Sequence, residues 1–156
     1  VRPGVISGRW APALSLDHLE GDGHFDLADY ATDTKDTCPR AVLVAFLASW
    51  CGPCAASLPT LAQIQRDHPE LLVVVVTMDE DEGGRRLELR KVRDAGLTGP
   101  VLRPDPEVVD AWTGGARSVP RFVFVDGKGV VVTQDHGFGD DVKERMPLQA
   151  RRTLAR

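Results

Sequence analysis

No apolar run in the sequence approaches the ~20 residues that a membrane-spanning helix requires, and the longest runs are interrupted at or before Ser49 and Met78. The chain is therefore expected to be soluble. Basic residues are not in excess: the formal net charge is −4, with acidic and basic side chains interspersed. That pattern leaves no stripe for nucleic acid and no polybasic segment for anionic lipid, so the expected partner is a small molecule or another protein. No internal repeat, low-complexity tract or linker divides the chain. The sequence starts at Val1 without a methionine or a signal-like segment, so a targeting peptide or membrane anchor is expected to have been removed or to have lain upstream. The histidines, His18, His24, His68 and His136, stand singly and make no paired motif, so no metal and no cofactor are expected.

Cysteine is also scarce, with three in 156 residues. A chain of this length that is 42% hydrophobic has material for one core and no need of disulfide staples, so its cysteines call for a chemical explanation. Cys51 and Cys54 fall at a change of pattern. "ALSLDHLEGDGHFDLADYA" reads as a small hairpin turning at Gly21-Asp22-Gly23, and residues 31–40 read as a polar loop. "AVLVAFLAS" is a continuous apolar run, the mark of a strand buried on both faces at the centre of a parallel sheet. From Cys51 the spacing becomes helical, through Leu58, Leu61, Ala62 and Gln65, and ends near Asp67-His68-Pro69. "LLVVVVTM" is a second buried strand. "DEGGRRLELRKVRDAG" predicts a charged amphipathic helix closed by Gly96, "PVLRP" a short extended piece, and "PEVVDAWTG" a brief helix between proline and glycine. "RFVFVDGKGVVVTQ" predicts a hairpin turning at Asp126-Gly127, and "DDVKERMPLQARRTLAR" a closing helix that Pro147 breaks. The order of elements describes an α/β sheet covered on both faces.

A residue and its third successor lie one helical turn apart, with Cα atoms about 5 Å from each other, inside the range a disulfide tolerates. Cys51 and Cys54 can thus bond or open with little backbone motion. Cys51 is expected at the first exposed position of the helix N-terminus, where unpaired amides and the positive end of the dipole favour a thiolate. Cys54, one turn deeper, is expected to be shielded and to resolve. Gly52 permits the tight turn into the helix, Pro53 needs no amide hydrogen there, and Pro59 is expected to kink the helix.

On "VLVAFLASWCGPC" at a strand-to-helix junction, Pro59, and "RSVPRFVFVDGKGVVV" downstream, the chain resembles the thioredoxin superfamily, and more narrowly its TlpA-like or ResA-like thiol-disulfide oxidoreductases. The resemblance covers roughly residues 10 to 155. It implies a thioredoxin-like α/β fold, with a central mixed β-sheet flanked by helices, an N-terminal β-hairpin and an extra helix-strand insertion. Residues 1–156 form a single domain in this reading, with a hairpin and loop over 1–40 and a core over 41–156. The resemblance implies a cis peptide bond at Pro120, facing the cysteines, and a Val119 backbone that pairs with an extended substrate peptide.

Two positions depart from the family pattern. Ala45 stands where thioredoxins carry a buried aspartate and the TlpA-like branch often asparagine, and Ser57 stands where ResA-like members carry a glutamate. The acceptor for the Cys54 proton must then be a water, Ser57 or another carboxylate. Asp79 and Glu80 are the nearest by topology, but are expected to be an exposed acidic helix start. Arg121 follows Pro120, where a small polar residue is usual; it either selects acidic or polar partners or merely lies at the surface. Trp50 is expected to cover one side of the disulfide, to pack as an ordinary aromatic, or both. Cys38 reads as a lone thiol outside the mechanism.

These readings lead to a dithiol-disulfide oxidoreductase with Cys51 as nucleophile and Cys54 as resolving thiol, supported by Trp50, Gly52, Pro53, Val119 and Pro120. The resemblance implies a reductant of protein disulfides in an extracytoplasmic, periplasmic or periplasm-facing membrane-anchored setting. Preparation of apocytochrome or copper-site cysteines is one such task. It also implies an upstream membrane or protein electron donor; a monomer is expected. A thiol peroxidase on the same fold would need a Thr-x-x-Cys setting, which "ASWCGPC" lacks. A non-catalytic copper or thiol-binding module would need a third soft ligand, for which only His136 offers room.

Overall fold

The computed structural model describes residues 4–30 and 39–156. Cys38 and most of the predicted polar loop lie outside the described residues. The first elements are β1 (Ser15–Asp17) and β2 (His24–Asp26), an antiparallel pair in which Leu16 faces Phe25. Gly21 turns the chain with φ +67°, a conformation that a side chain disfavours, and a 3-10 turn over Leu27–Tyr30 comes next. This is the predicted N-terminal hairpin.

The core is a five-stranded mixed sheet. Its centre is β3 (Ala41–Leu47), buried at every position, as the unbroken apolar run predicts. Helix α1 (Gly52–Asp67) leads to β4 (Leu71–Thr77), which lies parallel to β3. Helix α2 (Glu82–Asp94), the short β5 (Val101–Leu102) and α3 (Pro106–Thr113) form the inserted segment. The chain closes with β6 (Arg121–Val125), β7 (Val131–His136) and α4 (Asp140–Leu154). The strand order is β5-β4-β3-β6-β7, with β6 antiparallel to β3 and β7 antiparallel to β6.

Alternation along the strands divides the core into two layers. Leu43, Ala45, Leu47, Phe122 and Phe124 pack with Leu58 and Leu61 of α1 and Met146 of α4. Val44, Phe46, Val74 and Val123 point the other way, onto Trp112 of α3 and onto Leu16 and Phe25 of the hairpin. Burying apolar surface on both sides of β3 fixes its register, since a one-residue slip would exchange the two layers.

Two sequence expectations are corrected. Pro147 does not break the closing helix, because α4 runs continuously from Asp140 to Leu154 with Pro147 inside it. The hydrogen bond that Pro147 cannot make would end on Lys143, an exposed residue whose carbonyl can meet water, while Val142, Met146 and Ala150 hold the buried face. The same reasoning covers Pro59, which lies inside α1 and would have bonded the exposed Ala55. The β6–β7 turn is longer than Asp126-Gly127. Gly129 N–H donates to Asp126 O at 3.0 Å, and the Asp126 carboxylate accepts from Lys128 N at 2.9 Å and Val130 N at 3.1 Å. Gly129 takes φ +87°, and the register shifts between Phe124 and Val125.

Candidate redox site

Parallel strands β3 and β4 end on the same edge of the sheet, and α1 starts there. Cys51 is the N-cap of α1 (φ −97°, ψ 114°), with Gly52 at the first helical position and Pro53 next. Pro53 suits that place because first-turn amides have no partner inside the helix. Cys51 and Cys54 are joined by a disulfide with their Cα atoms 5.2 Å apart. The Cys54 N–H points at Cys51 Sγ from 3.2 Å, so the helix end offers the sulfur a donor as well as its dipole. Cys54 is 1% exposed, as expected for the inner cysteine. Cys51 is not at an exposed position: it is 6% exposed, and the loop before β6 faces it.

That loop contains the cis Val119-Pro120 bond. Its arrangement puts the Val119 carbonyl oxygen 3.8 Å from Cys51 Sγ. Pro120 is buried and its carbonyl accepts from Gly137 N at 2.9 Å, while Val119 is half-buried. Trp50 is 69% exposed, so it is not an ordinary packing aromatic. Instead it rims a groove of about 570 Å³ with Met78, Pro104, Pro106 and Arg117 among the lining residues.

The acidic residues correct a further expectation. Asp79 is no exposed helix start; it is 3% exposed, and the N-cap of α2 is Asp81. The Asp79 carboxylate accepts from Ser49 N at 3.0 Å, Ser49 Oγ at 2.6 Å and Thr77 Oγ1 at 2.7 Å. Lys91 Nζ donates to the Ser49 carbonyl at 2.7 Å. Ser49 is therefore held from both sides, two residues before Cys51. The strand register accounts for the contact: Leu47 lies opposite Thr77, and continuing that parallel register brings Ser49 to Asp79. Glu88, which the sequence reading did not single out, is 2% exposed on α2. Burial lifts its pKa to about 7, the Asp79 charge adds to the rise, and Lys91 opposes it.

Neither replacement near Cys54 supplies a base. Ala45 is buried in the same apolar layer as both cysteines, and Ser57 Oγ donates to the Cys54 carbonyl at 2.7 Å. Among the described residues, no three His, Cys, Asp or Glu side chains gather in a metal-holding group. No described helix is long and apolar enough to cross a membrane.

Comparison with known proteins agrees with this geometry. The thioredoxin family model matches residues 26–94. The thiol:disulfide interchange protein DsbE homolog of Paracoccus denitrificans is 30% identical over 135 residues, which span 86% of this chain and 69% of that protein. The thioredoxin-like protein YneN of Bacillus subtilis is 28% identical over 92% of this chain and 78% of its own length. A solved thiol:disulfide interchange protein DsbE structure from Chlorobium tepidum superposes with a TM-score of 0.77 at 26% identity, covering 97% of this chain and 99% of the other. The chain belongs to the thioredoxin superfamily and is a thiol-disulfide oxidoreductase of the DsbE- and ResA-like kind.

Proposed function

We propose that the chain acts as one thioredoxin-like domain that reduces protein disulfides in an extracytoplasmic space, with Cys51 as nucleophile and Cys54 as resolving thiol. The observation that carries this assignment is the placement of Cys51 Sγ at the N-cap of α1, 3.2 Å from the Cys54 N–H. A thiolate there receives a charge-assisted hydrogen bond and the helix dipole together. The extracytoplasmic setting draws on similarity to proteins such as the exposed lipoprotein thioredoxin of Streptococcus pneumoniae, 27% identical with a TM-score of 0.63. Cytochrome c maturation is one task such a reductant would serve.

In the reducing direction, the Cys51 thiolate attacks one sulfur of the substrate disulfide. A Cys51–substrate S–S bond forms, the substrate S–S bond breaks, and the departing thiolate takes a proton from water. Cys54, once deprotonated, attacks Cys51 Sγ, closes the internal disulfide and expels the second substrate thiol. The substrate gains two electrons and the cysteine pair loses them, so an upstream membrane or protein dithiol must recharge the site. Val119, with its carbonyl beside Cys51, is the backbone on which an extended substrate would pair, next to Pro120. Gly52 and Pro53 shape the helix entry, and Trp50 borders the approach.

Insulin disulfide reduction tests the assignment. Cys51→Ser is expected to fall to background, and Cys54→Ser to lose turnover while accumulating a mixed disulfide through Cys51, visible by mass spectrometry. Full turnover by either variant, or copper retained by the pair without turnover in the native protein, would sink it.

A further inference from the structure

Arg121 is the first residue of β6, directly after the cis Val119-Pro120 bond. Its guanidinium folds back on the loop that faces the disulfide. Nε donates to Ser118 O at 3.0 Å, Nη2 to Ser118 Oγ at 3.0 Å, and Nη1 reaches His136 Nε2 at 3.0 Å across the β6–β7 pair. As Arg121 donates, His136 must accept through a neutral ring. Burial, then the Arg121 charge, lowers the His136 pKa against the pull of Asp135.

All three contacts of Arg121 are to neutral acceptors, and among the described residues no carboxylate lies within ion-pairing distance of it. Comparable arginines differ. Arg103 and Arg145 have their pKa values raised by Glu82 and Asp135, and Arg117 lies 3.2 Å from Asp110. Arg121 has its pKa lowered, by burial alone. Among the described residues this half-buried cation lacks the counter-charge that ordinarily offsets its lost hydration. Three of its five N–H donors are used, so Nη1 and Nη2 each keep one, and a carboxylate accepts such a pair side by side. The position is also the right one. Ser118, which holds the guanidinium, adjoins Val119, whose carbonyl is 3.8 Å from Cys51 Sγ. Two residues of extended chain span about 7 Å, so a peptide paired at Val119 brings the neighbours of its reactive cysteine within reach of Arg121. The groove beside Trp50 does not discriminate in this way, because Glu80, Asp81, Arg85 and Arg117 line it with both signs.

We propose that Arg121 is a specificity-determining residue that favours protein substrates carrying an aspartate or glutamate within about two residues of the reactive cysteine. This rests on the reading of Cys51 as the attacking nucleophile.

The test uses the reduced full chain and three synthetic peptides, each with its cysteine as a mixed disulfide with 2-mercaptoethanol, and with Glu, Gln or Lys two residues away. Release of peptide thiol gives the second-order rate, and the Gln peptide normalises each protein variant. The native protein is expected to favour Glu over Lys about three- to tenfold at low ionic strength, with the ratio falling towards one in high salt. Arg121→Gln is expected to flatten the ratio, and Arg121→Glu to reverse it. Equal rates on the Glu and Lys peptides with the native protein, or an unchanged ratio in Arg121→Glu, would overturn the proposal. The native-protein arm decides the matter even where a variant fails to fold. Absence of reaction with all three peptides would overturn the nucleophile assignment itself, a result distinguishable from equal rates.

Discussion

Asp79 shows how much one buried side chain does for the site without touching a sulfur. Its carboxylate ties the end of β4 to Ser49, and so sets where the chain enters the Cys51-Gly52-Pro53-Cys54 turn. The backbone of α2 must approach closely to leave that carboxylate room. A Cβ on Gly84 would stand 2.8 Å from Asp79 Oδ1, nearer than unstrained atoms approach, whereas a Cβ on Gly83 would meet only Asp81 Oδ1 at 3.4 Å. Glycine in a helix ordinarily costs about 1 kcal/mol relative to alanine. Gly83→Ala should therefore raise stability by up to about 1 kcal/mol. Gly84→Ala should lower it, because the added methyl pushes Asp79 off Ser49 and threatens hydrogen bonds worth about 1 to 3 kcal/mol. Urea denaturation of the two variants checks the opposite signs, and a stabilised Gly84→Ala protein would show that Asp79 yields without cost.

At the scale of the element, α2 has a polar sequence and one buried acid. Its N-terminus is held by Asp81, whose side chain accepts from Gly84 N at 2.7 Å, and Lys91 reaches from its last turn to the Ser49 carbonyl. Glu88 lies between these attachments, facing inward. Its folded pKa of about 7 exceeds the ordinary 4.5, so the folded state holds a proton that the unfolded state has released between those values. Linkage gives the sign. The stability associated with that proton is fully present below pH 4.5 and is lost as pH rises through about 7, a change on the order of 3 kcal/mol. His136 works in the opposite sense, since its lowered pKa gives stability present above 6.5 and lost as pH falls. Subtracting the profile of Glu88→Gln from that of the native protein isolates the carboxyl. The difference should slope between pH 4.5 and 7 and leave the variant more stable at pH 8; a flat difference would contradict the assignment.

Across the whole molecule, what was legible in the sequence was whatever depends on near neighbours along the chain. The unbroken "AVLVAFL" announced a strand covered on both faces, Gly114 closed α3, and the Cys51–Cys54 spacing announced a disulfide at a helix start. Asp79 and Glu88 were not legible, because "MDEDEGG" and "LELRKVRD" are what exposed helix starts and charged faces look like. Their burial depends on a strand 30 positions away and on packing between separate elements. Pro147 misled because a proline weakens a helix locally, while the buried side of α4 is held by the sheet. The redox assignment itself makes a claim at this scale, since the potential of the cysteine pair and the stability of the fold are linked. A pair more reducing in the folded protein than in its unfolded chain stabilises the oxidised fold by about 1.4 kcal/mol for each 30 mV. The helix end at Cys51 acts against this by favouring the thiolate, an effect of up to about 2 kcal/mol. Buried Ala45 and the backbone-bound Ser57 offer the Cys54 sulfur neither a charge nor a free hydroxyl, so neither adds to the stabilisation of the reduced form, while the disulfide needs no partner. The reductase reading therefore predicts that the oxidised protein unfolds at a higher temperature than the dithiol form by about 2 to 4 °C for each kcal/mol, measured with and without dithiothreitol at pH 7. A dithiol form that outlasts the oxidised one would instead mark the pair as an oxidant.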